Sequence, residues 1–176
     1  MNKKEIFVDV EDFDKFGLRQ VLRNFANEVN WEIVEEDFDR PWGGYLKFDE
    51  KMSGDFLELF FPDIDTSEIS GIRMCPKFLI VEKGARLSWQ YHNRRSEEWV
   101  VLGGKAGVVL SDDNTEGEMM VFEPEDRISI KTGIRHRLVG MSNLLLVAEV
   151  WINTHEELSG EDDIVRIQDD YSRVRK

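Results

Sequence analysis

From Lys77 onward the chain is a succession of eight short apolar runs: Phe78–Val81, Leu87–Tyr91, Trp99–Leu102, Gly107–Leu110, Met119–Phe122, Ile128–Ile130, Arg137–Val139 and Leu144–Ile152. Lys83-Gly84, Gly103-Gly104, Ser111–Asn114, Pro124–Asp126, Thr132-Gly133 and Ser142-Asn143 supply turn residues between them. Runs this short, rich in Val, Ile, Leu and aromatics and recurring roughly every 8–12 residues, predict strands paired as an all-β sandwich or barrel. No helical stretch alternates with them, which excludes a doubly wound parallel sheet. Neither a G-x-G-x-x-G fingerprint nor a G-x-x-x-x-G-K-[ST] phosphate loop is present.

The first third reads differently. Phe13, Phe16, Val21, Leu22, Phe25 and Val29 fall at helical spacing, with Asp12 or Asp14 available as a cap. Met52, Phe56, Leu57 and Phe60 predict a second helix over about Asp49–Phe61, ended by Pro62. Arg40-Pro41-Trp42-Gly43-Gly44-Tyr45 reads as a connector between them. The expected organisation is an N-terminal helical extension over 1–35 and a β domain over 36–173, with a helical insertion at about 49–68.

Charge narrows the partners. In 176 residues, 23 Lys and Arg face 36 Asp and Glu, a net charge of −13. Such a surface repels nucleic-acid phosphates and anionic lipid. The longest apolar run, Leu144–Ile152, holds Glu149 and is far below the roughly 20 residues of a membrane helix. One cysteine, Cys75, leaves no internal disulfide and no Cys-cluster zinc site. The expectation is a cytoplasmic protein with no nucleic-acid or membrane partner.

Gln90 and His92 stand two apart on a predicted strand, so both point to one face. Glu97 and Glu98 are adjacent, so only one of them shares a face with that pair. His136 comes from a separate strand. One Gln or Glu oxygen with two imidazoles suits a divalent metal and leaves positions open for substrate. The same histidines are also compatible with ordinary hydrogen-bonding roles, and His155, in a polar segment, reads as surface.

The segment Gly84–Val101 followed by Gly104, with Gln90-Tyr91-His92 and Glu97-Glu98-Trp99 at its centre, resembles the first cupin motif in the form found in the C-terminal domain of type II mannose-6-phosphate isomerases. Lys131–Leu138 resembles that family's second motif and Arg40-Pro41-Trp42-Gly43 its opening one. Gly160–Arg166, Asp169–Tyr171 and Arg173 resemble its closing segment. The resemblance implies a mostly β fold, a single small cupin barrel (double-stranded β-helix, jelly roll). It implies a divalent metal, zinc first, on Gln90, His92, Glu97 and His136. It implies interconversion of an aldose and a ketose phosphate, mannose 6-phosphate or a related hexose or heptose phosphate. Histidines usual in the family at the positions of Arg94 and Glu98 are absent here, which alters the acid–base inventory.

Isomerisation through an enediolate requires a base, for which Lys77 and Glu98 are candidates; strand parity ranks Glu98 low if Glu97 is the ligand. A phosphate requires cations: Arg166 is the first choice and Arg95 the second. Many of the other motif arginines are expected to pair with carboxylates. Trp42 and Trp89 are candidates for a wall against the sugar, whereas Trp99 reads as core. Exposed sheet edges predict a homodimer. The competing readings are a non-catalytic sugar- or sugar-nucleotide-binding cupin and a metal-free epimerase-like cupin.

Overall fold

The computed structural model describes residues 9–65, 71–155 and 157–172. Parts of the expected extension (1–8) and insertion (66–68), together with Arg173, lie outside the described residues. Among the described residues, eleven strands form two antiparallel sheets. In chain order they are β1 (Ile33–Arg40), β2 (Gly43–Phe48), β3 (Met74–Glu82), β4 (Trp89–Tyr91), β5 (Arg95–Gly103), β6 (Ala106–Ser111), β7 (Met119–Phe122), β8 (Arg127–Ile130), β9 (Arg135–Gly140), β10 (Leu144–Asn153) and β11 (Val165–Gln168). The first sheet runs β1-β2-β3-β10-β5-β8 and the second β11-β4-β9-β6-β7. This is the two-sheet architecture of a cupin jelly roll.

Alternation along β3, β5 and β10 separates two cores. Leu79, Val81, Trp99, Val101, Leu145 and Val147, with Ile128 of the same sheet, face the second sheet and meet Val108 and Leu138. Phe78, Ile80, Val100, Leu102, Leu146, Ala148 and Val150 point to the other face. That face is covered by α1 (Lys15–Glu28) through Leu18, Leu22 and Ala26, and by α2 (Ser53–Phe60) through Phe56, Leu57 and Phe60. Both faces of β10 are therefore buried, which is why its sequence is a continuous apolar run rather than an alternating one. Asp14 caps α1 by accepting from the Gly17 amide at 2.7 Å. A short 3-10 turn, Glu50–Met52, precedes α2, so the predicted second helix starts in two pieces.

The expected helical first third is corrected at 33–48, where the connector Arg40–Tyr45 is the tip of the β1–β2 hairpin. The polar run Glu35, Glu36, Asp37 and Asp39 hides β1 from an apolar-pattern search, because these residues sit on an edge strand with one side in water. The hairpin docks closely. Gly43 has φ +141°, and a Cβ there would lie 1.9 Å from the Ile80 carbonyl oxygen. Only glycine admits that approach, and it seats Trp42 in the core between the sheets.

Phe78 is fully buried and packs against Phe25, Phe48, Phe56 and Phe60 at ring-centroid separations of 5.2–6.0 Å. It joins both helices to the sheet. Phe78→Ala is expected to cost about 3–5 kcal/mol, read as a lower urea midpoint, whereas Asp14→Ala should cost about 1 kcal/mol.

Candidate metal centre

The two sheets place His92, Glu97 and His136 together. Gln90 of β4 is the register partner of His136 of β9. Glu97 approaches from β5, in the opposite sheet, on the same inner parity as Trp99 and Val101. One ligand-type atom from each of His92, Glu97 and His136 lies within 4.8 Å of the others, and all three residues are buried. His92 Nε2 is 3.0 Å from Glu97 Oε1, and His136 Nε2 is 3.6 Å from Glu97 Oε2. Donors held about 2.0–2.2 Å from one tetrahedral ion stand roughly 3.3–3.6 Å apart; the His136–Glu97 distance meets this, and the shorter His92–Glu97 distance would open by a few tenths of an ångström around an ion.

The protonation states fit as well. His136 Nδ1–H donates to the Ile134 carbonyl at 3.0 Å, leaving Nε2 buried, with a lone pair and no hydrogen-bond partner. That is the arrangement of a metal-ligating imidazole oriented by its surroundings. Burial pulls the His136 pKa down to about 4, against the opposing pull of Glu97, so the ring is neutral. Burial works to raise the Glu97 pKa, but His92, Arg95 and His136 hold it well below the usual carboxylate range. Two imidazoles and one carboxylate thus converge. Gln90 stands beside them with its Oε1 accepting from Ser88 Oγ at 2.6 Å.

Gln90 and Glu97 form part of the wall of a cavity of about 560 Å³. Of the other predicted residues, Lys77, Trp42, Arg95 and Arg166 also line it. Arg166 is the register partner of Gln90 and leans on Glu161 at 3.5 Å. Arg40, Lys47, Lys51 and Arg73 line the cavity from the hairpin and the segments beside it, paired with Asp37, Glu35, Asp49 and Glu50.

Three expectations are corrected. Glu98 points to the opposite face of β5, where it accepts from Ser129 Oγ at 2.5 Å, so it is no base for this cavity. Trp89 has the parity opposite to Gln90; its Nε1 donates to the Asn114 carbonyl at 3.0 Å, and it takes no part in the cavity wall. Arg95 is buried and its guanidinium is engaged by the protein. Nε donates to Glu97 Oε1 at 2.9 Å, and Nη1 to Ser159 Oγ and the Gly160 carbonyl at 2.9 and 3.0 Å. It positions Glu97 rather than offering a fork to phosphate.

The arginines of the motif segments mostly tie loops together. Arg86 pairs with Asp170, Arg94 with Asp162, Asp163 and Glu157, and Arg137 with Glu116. The cavity's cations come both from motif segments, through Arg40, Arg95 and Arg166, and from segments outside them, through Lys47, Lys51, Arg73 and Lys77. His155 is exposed, as expected.

One residue escaped the sequence reading. Glu149, 4% exposed, lines the cavity, accepts from Trp99 Nε1 at 3.0 Å and lies 3.8 Å from Lys77 Nζ. Its signal was present: it is the single charged residue in the run Leu144–Ile152. Lys77 Nζ and the Arg95 guanidinium lie 3.0 and 3.3 Å from the centroid of the Trp151 ring, which fixes both cations at the cavity.

Breaking the buried pair by Arg95→Ala leaves Glu97 without its guanidinium partner. In chelator-treated protein this is expected to cost about 3–5 kcal/mol in urea denaturation.

Comparison with known proteins agrees with this fold. Among solved structures, a variant of oxalate decarboxylase from Bacillus subtilis aligns with a TM-score of 0.55 at 12% identity, over 76% of this chain and 30% of that one. The capsular polysaccharide assembling protein CapF from Staphylococcus aureus aligns with a TM-score of 0.51 at 14% identity, over 77% of this chain and 34% of that one. These show the fold alone. In sequence, the xanthan biosynthesis protein XanB of Xanthomonas campestris pv. campestris is 34% identical over 137 residues, 77% of this chain and 23% of XanB. The alginate biosynthesis protein AlgA of Pseudomonas aeruginosa is 32% identical over 77% of this chain and 22% of its own length. The mannose-1-phosphate guanylyltransferase of Escherichia coli K12 is 30% identical over 80% of this chain and 24% of its own. The chain spans about a quarter of the length of these relatives. No helix among the described residues is long and apolar enough to cross a membrane. The mannose-6-phosphate isomerase C-terminal family matches residues 63–169, and the chain belongs to that family.

Proposed function

We propose that the protein is a metal-dependent aldose–ketose isomerase acting on a sugar phosphate, mannose 6-phosphate or a related hexose or heptose phosphate. The observation that carries this reading is the convergence of His92, Glu97 and His136, whose member Glu97 also lines, with Gln90, a cavity that presents Lys77, Arg40 and Arg166. Those three residues, with Gln90, would hold a divalent ion, and two imidazoles with oxygen donors favour zinc. Such an ion would supply Lewis-acid polarisation to the substrate's oxygens.

The chain's own residues do the rest. Arg166 and Arg40 both neighbour Glu161 at the cavity wall, and a phosphate is a stronger bidentate acceptor for arginine than a solvent-exposed carboxylate. The buried Trp42 offers an apolar surface to the sugar ring. Lys77, 7% exposed and fixed over Trp151, sits where it can exchange a proton with a sugar oxygen. Arg94 and Glu98, the positions that depart from the family pattern, point away from the cavity. Their departure therefore does not change its inventory, which supports an active enzyme over a purely binding one. Pairing with a second copy belongs to this reading too. The edge strand β7 exposes Met119, Met120 and Val121 in succession, a surface that association would bury.

Purified, metal-replete protein is expected to interconvert at least one aldose and ketose phosphate in a panel of hexose and heptose phosphates, to lose that activity on chelation and to regain it with added zinc. His92→Ala should lose bound metal by elemental analysis and fall at least ~100-fold in kcat/KM. Metal-loaded protein that turns over no member of the panel would sink the isomerase reading. A sedimentation mass of one chain would remove the dimer.

A further inference from the structure

Glu149 is the feature of this cavity that neither the metal ligands nor the phosphate contacts account for. It stands in the middle of the six-stranded sheet, with Lys77 of β3 and Trp99 of β5 as its register partners. Glu97 is its diagonal neighbour on the same inner face, so their Cα atoms are about 7–8 Å apart. Its Oε1 accepts from Trp99 Nε1, and the Trp99 ring meets His136 edge-on at 5.6 Å. The carboxyl group is thus held beside the ligand cluster by rigid strands and a buried indole. Stability gives no account of it. A buried ion pair such as Glu149 with Lys77 is commonly matched or bettered by apolar residues of the same size, and the rest of β10 is apolar.

We propose that Glu149 is the acid–base residue of the cavity, taking the proton from C2 of an aldose phosphate and returning it to C1 while Lys77 carries the proton between the two oxygens. This rests on the isomerase reading. The electrons and protons balance. The C2–H pair becomes the C1=C2 bond as Glu149 is protonated. The carbonyl pair moves to O1, which takes a proton from the Lys77 ammonium. The O2–H proton then returns to the Lys77 amine as the C2=O bond forms, and the C1=C2 pair takes the proton back from Glu149 at C1. Both side chains end as they began, and no co-reactant is consumed.

A two-way carrier must titrate near the working pH. Burial first, and then the charge of Glu97, raise the Glu149 pKa to about 7 against the opposing pull of Lys77 and Arg95. Cys75 of β3 also interacts with it. In the aldose-to-ketose direction the ionised carboxylate is the active form, so kcat/KM should rise with pH through about 7.

The test compares wild type with Glu149→Gln, both zinc-loaded, in deuterium oxide. Expected are isomerisation with solvent deuterium appearing in the sugar for wild type, and at least a ~100-fold loss of kcat and of exchange for Glu149→Gln at equal metal content. An infrared titration of the metal-free wild type should show a protonated-carboxyl stretch at about pH 6 that is gone at about pH 8 and missing from the variant. Glu149→Gln retaining activity within about threefold of wild type overturns this assignment alone. A wild type that neither isomerises nor exchanges overturns the isomerase reading and this assignment with it. Should the variant fail to fold, a wild-type pH–rate profile flat between about pH 6 and 8, or no titrating carboxyl in the infrared, overturns the assignment.

Discussion

The sheet β1-β2-β3-β10-β5-β8 is buried on both faces, and the rest of the structure depends on that constraint. Its outer face is closed by the aromatic cluster of Trp31, Phe48, Phe56, Phe60 and Phe78 beneath the two helices. Its inner face is closed by the second sheet. With the outer face sealed by apolar packing, strand alternation commits every second residue of β3, β5 and β10 to the interior. Toward one end of the barrel those interior positions are Leu79, Val81, Val101, Leu145 and Val147; toward the other they are Lys77, Glu97, Glu149 and Trp151. The site is therefore a change of side-chain chemistry along continuous strands, and its geometry inherits the rigidity of the sheet.

Electrostatics then sort the charges. Inside, Glu97 is surrounded by two imidazoles and Arg95, and stays ionised despite complete burial. Glu149, facing Lys77 but also the field of Glu97, does not share that fate and titrates near neutrality. Two carboxylates on one face, pushed apart by their surroundings, are the arrangement that divides a ligand from an acid–base group. Outside, the arginines of the motif segments fasten the closing segment and the loops to the barrel through Asp162, Asp163, Asp170 and Glu116. The acidic surplus of the chain is partly the counterpart of those arginines, and the cavity's own cations also face carboxylates, among them Glu35, Glu50, Glu149 and Glu161.

Much of the fold was legible because it follows from local pattern. Each of the eight apolar runs coincides with a strand over most of its length, and several strands extend a residue or more beyond the run. The helix begins at the capping residue Asp14. The strands that escaped, β1, β2 and β11, are edge or near-edge elements whose exposed positions carry carboxylates, lysine or arginine. Their half-solvated surfaces remove the apolar signal on which such reading rests. At the site, the spacing of Gln90 and His92 established that they share a face. The parity of Glu97 and Glu98 required that one of them turn away, though not which.

The amino-acid sequence by itself determined a β-sandwich, the shared face of Gln90 and His92, and the family, since each depends on spacing along a single strand or on a motif read in order. Only the tertiary structure decided that Glu98 and Trp89 face away, that Arg95 serves Glu97, and that Glu149 joins Lys77 at the cavity. Those outcomes depend on which strands lie side by side. Register across a sheet brings together residues such as Lys77, Trp99 and Glu149 that no local pattern relates.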